Sequence, residues 1–170
     1  MDIRRLFNEI NKLKRRVNSL NFSILRTSFL SSSVDGVGLY NGDIVLAGTG
    51  SHSEVSGSHL VYLDSTKQWK RAHAGLPSTG SGEMIGIAIS ADPQDHGILV
   101  QGLFTLSSSF ISGSGGSSFA IGSQVYMSPE TSGSFTTTIP SGSGQIVRVV
   151  GHSVDGDMIY FAPSPDYIEI

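Results

Sequence analysis

Two copies of one pattern, set 62 to 64 residues apart, limit what this chain can fold into more than any other feature. The first copy runs Val61-Tyr62-Leu63, Pro77-Ser78, Gly80-Ser81-Gly82-Glu83 and then the apolar stretch Met84–Ile89. The second runs Val125-Tyr126-Met127, Pro140-Ser141, Gly142-Ser143-Gly144-Gln145 and then Ile146–Val150. Two copies are too few for a solenoid, whose units bury their apolar faces only against neighbours on both sides. They suit a barrel built from two related halves, or two small β-domains stacked along one axis. The units are β rather than helical, because each apolar run is short and is cut off by Gly, Pro, Ser or Asp-Gly.

Local patterns place the strands. Ile146, Val147, Val149 and Val150 cluster around Arg148, which suits a strand buried on most of its length. Asp155-Gly156-Asp157 separates it from Met158-Ile159-Tyr160-Phe161, a β-hairpin signature. Ser134–Ile139 is rich in β-branched and aromatic residues, and Pro140 with the Ser-Gly-Ser-Gly after it forces a loop. Beyond Pro163 and Pro165, Tyr167–Ile170 reads as a last extended piece. Ile98–Phe104 is a strand, and Ser107–Ser118 is a loop from which Phe110-Ile111 can tuck back into the barrel. Nearer the start, Asn41-Gly42 between Val37–Tyr40 and Asp43–Ala47 predicts a type I′ hairpin. Ser31-Ser32-Ser33 marks a joint.

At 170 residues the chain has room for one ordinary domain and a small appendage. Cysteine is absent, which excludes disulfides and thiol nucleophiles. No apolar run is long enough for a membrane span or a signal peptide, so no membrane association is expected. The net charge of −3 hides an asymmetry. Residues 1–26 carry Arg4, Arg5, Lys12, Lys14, Arg15, Arg16 and Arg26 against Asp2 and Glu9, while the rest has only Lys67, Lys70, Arg71 and Arg148. The start is basic and the body acidic.

The basic segment has its own order. Ile3, Leu6, Ile10, Leu13, Val17, Leu20 and Ile24 fall at alternating steps of three and four, with Ile3, Ile10, Val17 and Ile24 at a and the leucines at d. Glu9 at g can reach Lys14 at e of a parallel neighbour. About twenty such residues make a helix of roughly 30 Å, marginal alone in water. The stripe is narrow and regular, so the segment reads as a parallel coiled coil; an amphipathic helix packed on its own barrel is the alternative. β-branched a positions with leucine at d lean towards two strands. Arg16-Val17-Asn18-Ser19-Leu20 starts like a trimer-favouring pattern, which would want Glu where Asn21 sits. The expected organisation is therefore a coiled-coil helix over 1–26, a connecting β and loop segment over 27–57, and a β-barrel knob over 58–170. The fold class is mainly β.

Catalytic signatures are missing. There is no Gly-x-Ser-x-Gly elbow, Walker loop or complete dinucleotide fingerprint. His52, His59, His73, His96 and His152 lack helical metal spacing, and His52 with His59 reads as two loop histidines before a metal pair. Asp155 with Asp157, and Asp92 with Asp95, sit at turns where Asp serves the backbone; a glycosidase pair wants a cleft on a larger scaffold. Lys12, Lys14, Arg15 and Arg16 occupy c, e, f and g, the solvated faces of a coiled coil. No aromatics are interleaved with them as a single-strand binder would need. Trp69 among Lys67, Lys70 and Arg71 reads as packing. No enzyme activity, cofactor, metal or nucleic-acid partner is expected.

The order Gly122, Val125-Tyr126-Met127-Ser128, Gly133, Thr136-Thr137, Pro140-Ser141, Val147, Val149-Val150-Gly151 and Ile159-Tyr160-Phe161 resembles small β-barrel domains of tailed-phage virion proteins. That family takes in capsid decoration proteins, head fibres and fibre knobs. The resemblance covers under a third of the chain closely, and the region from Ile85 more loosely. It implies a homotrimer rather than a dimer, made in the host cytoplasm and carried on the virion surface. Its partner would be the major capsid protein. Ile3, Leu6, Ile10, Leu13, Val17, Leu20 and Ile24 would then join the subunits, and Arg4, Arg5, Lys12, Lys14, Arg15 and Arg16 would meet an acidic shell. A receptor-binding tail fibre tip or tailspike fragment that recognises a host surface glycan is the alternative.

Overall fold

The structure is a computed structural model that describes residues 31–32, 38–50, 55–80, 82–112 and 118–170. The coiled-coil segment expected over 1–26 lies outside the described residues. Residues Ser31–Ile170 form one compact unit, and it is mainly β, with its large sheet curled as a half-barrel.

Among the described residues thirteen strands follow in chain order: β1 (Ser31–Ser32), β2 (Leu39–Val45), β3 (Leu60–Leu63), β4 (Trp69–Arg71), β5 (Ile85–Ala88), β6 (Ile98–Thr105) and β7 (Ile111–Ser112), then β8 (Gln124–Met127), β9 (Phe135–Thr136), β10 (Ile146–Val147), β11 (Val149–Ser153), β12 (Met158–Phe161) and β13 (Ile168–Glu169). The main path runs β4-β3-β5-β6-β12-β11-β8-β9-β7, and β10 with β13 makes a separate two-stranded ribbon. Among these strands every pairing is antiparallel except β7 with β9, and an isolated parallel bridge joins Thr49 to Gln68.

The sequence repeat reappears as a repeat of ladders. β3 pairs with β4 on one side and β5 on the other, and β5 continues to β6. β8 pairs in the same way with β9 and β11, and β11 continues to β12. Tyr62 faces Ile85, and with both partners moved on by 64 positions Tyr126 faces Val149. The two sets meet where β6 pairs with β12.

β6 is the shared member. β2 lies along it from Ile98 to Phe104, β5 takes Ile98 and Leu99, and β12 takes Gly102–Thr105. A strand residue has two edges, so β5 and β12 share one edge end to end. The change-over falls at Gly102, whose φ of 145° side chains rarely adopt. Val100 is skipped in the β2 ladder, a bulge that helps the sheet to curl.

This pairing corrects the Asn41-Gly42 hairpin. β2 runs straight through both residues. Gly42 lies opposite Gly102, and a Cβ on either would collide with the backbone of the other strand. The glycine is there for close strand approach, not for a turn. Ser31-Ser32, expected as a joint, is β1 and pairs with Leu39 and Tyr40. The strand expected over Gln145–Val150 is broken at Arg148 into β10 and β11, and only Phe135–Thr136 of Ser134–Ile139 is strand. The Asp155-Gly156 hairpin, the strand at Ile98–Phe104 and the extended piece at the C-terminal end are all present. Phe110 and Ile111 do pack back against the core.

Alternation along the strands sorts side chains between core and solvent. Leu60, Ile85, Ile87, Leu99, Phe104, Val125, Met127, Phe135, Ile146, Val150, Ile159 and Phe161 build the main core. Val55, Val61, Trp69, Ala88 and Ile98 make a second, smaller cluster on the other face of β3 and β4. The Trp69 indole N–H donates to the Ala47 carbonyl at 2.6 Å and ties the 47–49 segment to β4.

Candidate functional site

Both groups of residues expected to carry function, the heptad set Ile3 to Ile24 and the cations Arg4 to Arg16, lie outside the described residues. The described body offers three polar constructions and two kinds of surface.

Arg148 is the most deeply buried of its cations, at 7% exposure. It sits between β10 and β11, and its Nε donates to the Ser164 carbonyl at 2.7 Å. Its Nη1 donates to the carbonyls of Gly80 at 2.7 Å and Glu83 at 3.2 Å. Burial pulls its pKa below the ordinary guanidinium value, while the charges of Glu83 and Tyr167 pull the other way. A planar fork with five donors suits three carbonyls arriving from two separate segments, where a lysine would not. Sequence reasoning placed Arg148 within one strand; it is a clamp holding Gly80 and Glu83 to Ser164 of the C-terminal segment. A lone cation inside an apolar run was the available signal.

His59 forms the second construction. The Ser56 N–H donates to its Nδ1 at 2.9 Å, its ring meets Phe110 edge-on at 4.9 Å, and it is 7% exposed. Burial foremost, then the nearby Arg71 charge, lowers its pKa to about 4, against a smaller opposing effect of the Ser56 contact. The imidazole is neutral and structural, with Nδ1 already occupied. Beside it Ser58 holds a φ of 74°, unusual for a residue with a side chain.

The third lies at the β3–β4 turn. Asp64 Oδ1 accepts from the backbone N–H groups of Thr66 and Gln68 at 2.8 and 2.9 Å, and Oδ2 meets Lys70 Nζ at 2.8 Å. These contacts, the Lys70 one foremost, hold its carboxyl well below the usual carboxylate range. Lys67, at φ 64°, closes the turn. Lys67, Lys70 and Trp69 are thus parts of a hairpin, and Trp69 packs in the smaller cluster as its sequence reading expected. Asp155 also serves its turn, accepting from the Gly156 N–H at 2.7 Å.

The first surface is apolar. Tyr167, Ile168 and Ile170 on and beside β13 stay 44%, 68% and 50% exposed although β13 is paired with β10. The second is the polar outward face of the sheet across β8, β11, β12, β6 and β2. Among the described residues no group of three or more His, Asp or Glu is placed to hold a metal. Among them, too, no helix is long and apolar enough to cross a membrane. Comparison with protein-family models, curated proteins and solved structures finds no match to this chain.

Proposed function

We propose that this chain is a non-enzymatic, homotrimeric surface protein of a tailed-phage virion. In this reading residues 1–26 trimerise and attach it to the capsid, and the β body is the part presented. The observation that carries the reading is the heptad stripe Ile3, Leu6, Ile10, Leu13, Val17, Leu20 and Ile24, flanked by Arg4, Arg5, Lys12, Lys14, Arg15 and Arg16, ahead of a turn-rich β body. Three parallel copies would bring eighteen such cations to one symmetric site, where contacts weak singly act together. Tyr167, Ile168 and Ile170 supply apolar surface that subunits could bury against one another.

Function here is binding. Electron microscopy of virions with a labelled antibody against the chain tests it. Label on capsid faces or vertices supports a decoration or head-fibre role. Label confined to the tail would instead favour the receptor-binding fibre reading, and particles without label would sink both.

A further inference from the structure

We propose that the outward face of the sheet, along the row Gln124, His152, Tyr160, Leu103 and Asn41, binds a neutral glycan chain. The ladder registers put these residues in line: Gln124 faces His152, His152 faces Tyr160, Tyr160 faces Leu103, and Leu103 faces Asn41. Directly opposed residues of antiparallel strands share a face. Their neighbours along the strands, Val125, Ile159, Phe161 and Phe104, are fully buried in the core, so the row looks outward. With strands about 4.8 Å apart, five strands give a row of roughly 19 Å.

The polar groups of the row are held in fixed roles. Gln101, two residues from Leu103 on the same face and opposite Asp43, donates its Nε2 to the Tyr160 hydroxyl at 3.0 Å. That leaves the Gln101 carbonyl oxygen as an acceptor and the Tyr160 O–H as a donor. At the other end Tyr126 donates its hydroxyl to Gln124 Oε1 at 2.7 Å, which leaves the Gln124 amide N–H groups as donors. Sugar hydroxyls both donate and accept, so an ordered alternation of donors and acceptors is the matching surface. The Tyr160 ring, 41% exposed, offers an apolar plate for the C–H face of a sugar.

Charge narrows the ligand. The row contains no Lys or Arg, and Asp43 beside Gln101 makes it slightly acidic. Among the described residues Lys67, Lys70 and Arg71 belong to the β3–β4 hairpin at the opposite end of the sheet path, and Arg148 is buried on carbonyls. Nucleic acids and anionic polysaccharides need cations, and the described residues of this face supply none. A protein partner would need a broad apolar centre, and here His152, Gln101 and Asn41 surround the Tyr160–Leu103 pair. A neutral polyhydroxylated chain is what remains. The face belongs to the body and attachment to residues 1–26, so either reading can fail while the other stands.

The test is affinity electrophoresis of the full chain in native gels containing dextran, hydroxyethylcellulose or galactomannan, with polymer-free and heparin gels beside them. Retardation by at least one neutral polymer is expected. Tyr160→Ala should weaken it about tenfold, a loss of about 1.4 kcal/mol, with the melting temperature unchanged. Gln101→Ala and Gln124→Ala should each weaken it by about threefold, and they decide the matter if Tyr160→Ala does not fold. No retardation by any of the three, retardation by heparin alone, or neutral-polymer binding that these variants leave intact would overturn the proposal. A change of oligomeric state in Tyr160→Ala would also overturn it, by showing the face to be a contact between copies.

Discussion

The ladder set β3–β6 and the ladder set β8–β12 follow the same pairing plan with different side chains. Their turns show how much freedom that leaves. Asp64 ends β3 and accepts the N–H groups of Thr66 and Gln68; Ser128, 64 positions on, ends β8 and accepts those of Glu130 and Thr131 at 3.1 and 3.0 Å. A side-chain oxygen at that place is what the turn requires, and either residue supplies it. The sets part company at Met84 and Arg148, also 64 apart. Met84 is 42% exposed, whereas Arg148 is buried and clamps loops from both sets. Backbone pairing tolerates wide sequence divergence, while the clamp that adds to the β6–β12 ladder between the sets depends on one residue present in only one of them.

The core equivalents should be costliest to remove. Trp69 faces Leu63 and Phe135 faces Met127, so they hold corresponding ladder positions, Trp69 in the smaller cluster and Phe135 in the main core, both almost fully buried. Phe135→Ala should cost about 3–5 kcal/mol in urea denaturation, and Trp69→Ala a similar amount. Cooperative unfolding by fluorescence and circular dichroism in both variants would show one unit; separate transitions would split the sets.

Arg148→Met, which imitates the first set, comes next. It strips three carbonyls of their donor and leaves the Glu83 carboxylate without its counter-charge, for an expected loss of about 2–4 kcal/mol. A neutral outcome would mean that the clamp is ornamental and the two sets hold together through β6 and β12 alone.

His59, whose place 64 positions on is taken by Ser123, gives the body an acid limit. Its folded pKa of about 4 lies below the ordinary 6.5. The unfolded chain therefore takes up the proton first. The stabilisation is whole above about pH 6.5 and is lost as pH falls towards 4, up to roughly 3 kcal/mol. His59→Gln should flatten the stability profile over that window; an unchanged profile would place the titrating group elsewhere.

Smallest is the turn pair. Ser128→Ala should cost about 1–2 kcal/mol, because Ser128 is fully buried and also accepts from the Ser112 hydroxyl at 2.6 Å. Asp64→Ala should lower the melting temperature less. The reverse order would show that the exposed hairpin, not the buried one, limits stability.

What could be read from the residues followed from distance along the chain. The Asp155-Gly156 hairpin, the Ile98–Phe104 strand and the repeat are local or periodic signals, and each has its counterpart in the fold. Asn41-Gly42 misled because the partner that gives Gly42 its meaning is Gly102, sixty positions away. Arg148 was opaque for the same reason: two of its acceptors lie 65 and 68 residues off. The outward row needed the registers of four pairings before Gln124 and Asn41 could be placed in one line.

Native mass spectrometry of the full chain tests the central claim most directly. The account predicts a species of three times 18.0 kDa that collapses to monomer when Leu13 is replaced by Glu in the heptad stripe. A full chain that remains monomeric at micromolar concentration would contradict it, removing the trimer and with it the avidity on which capsid attachment rests.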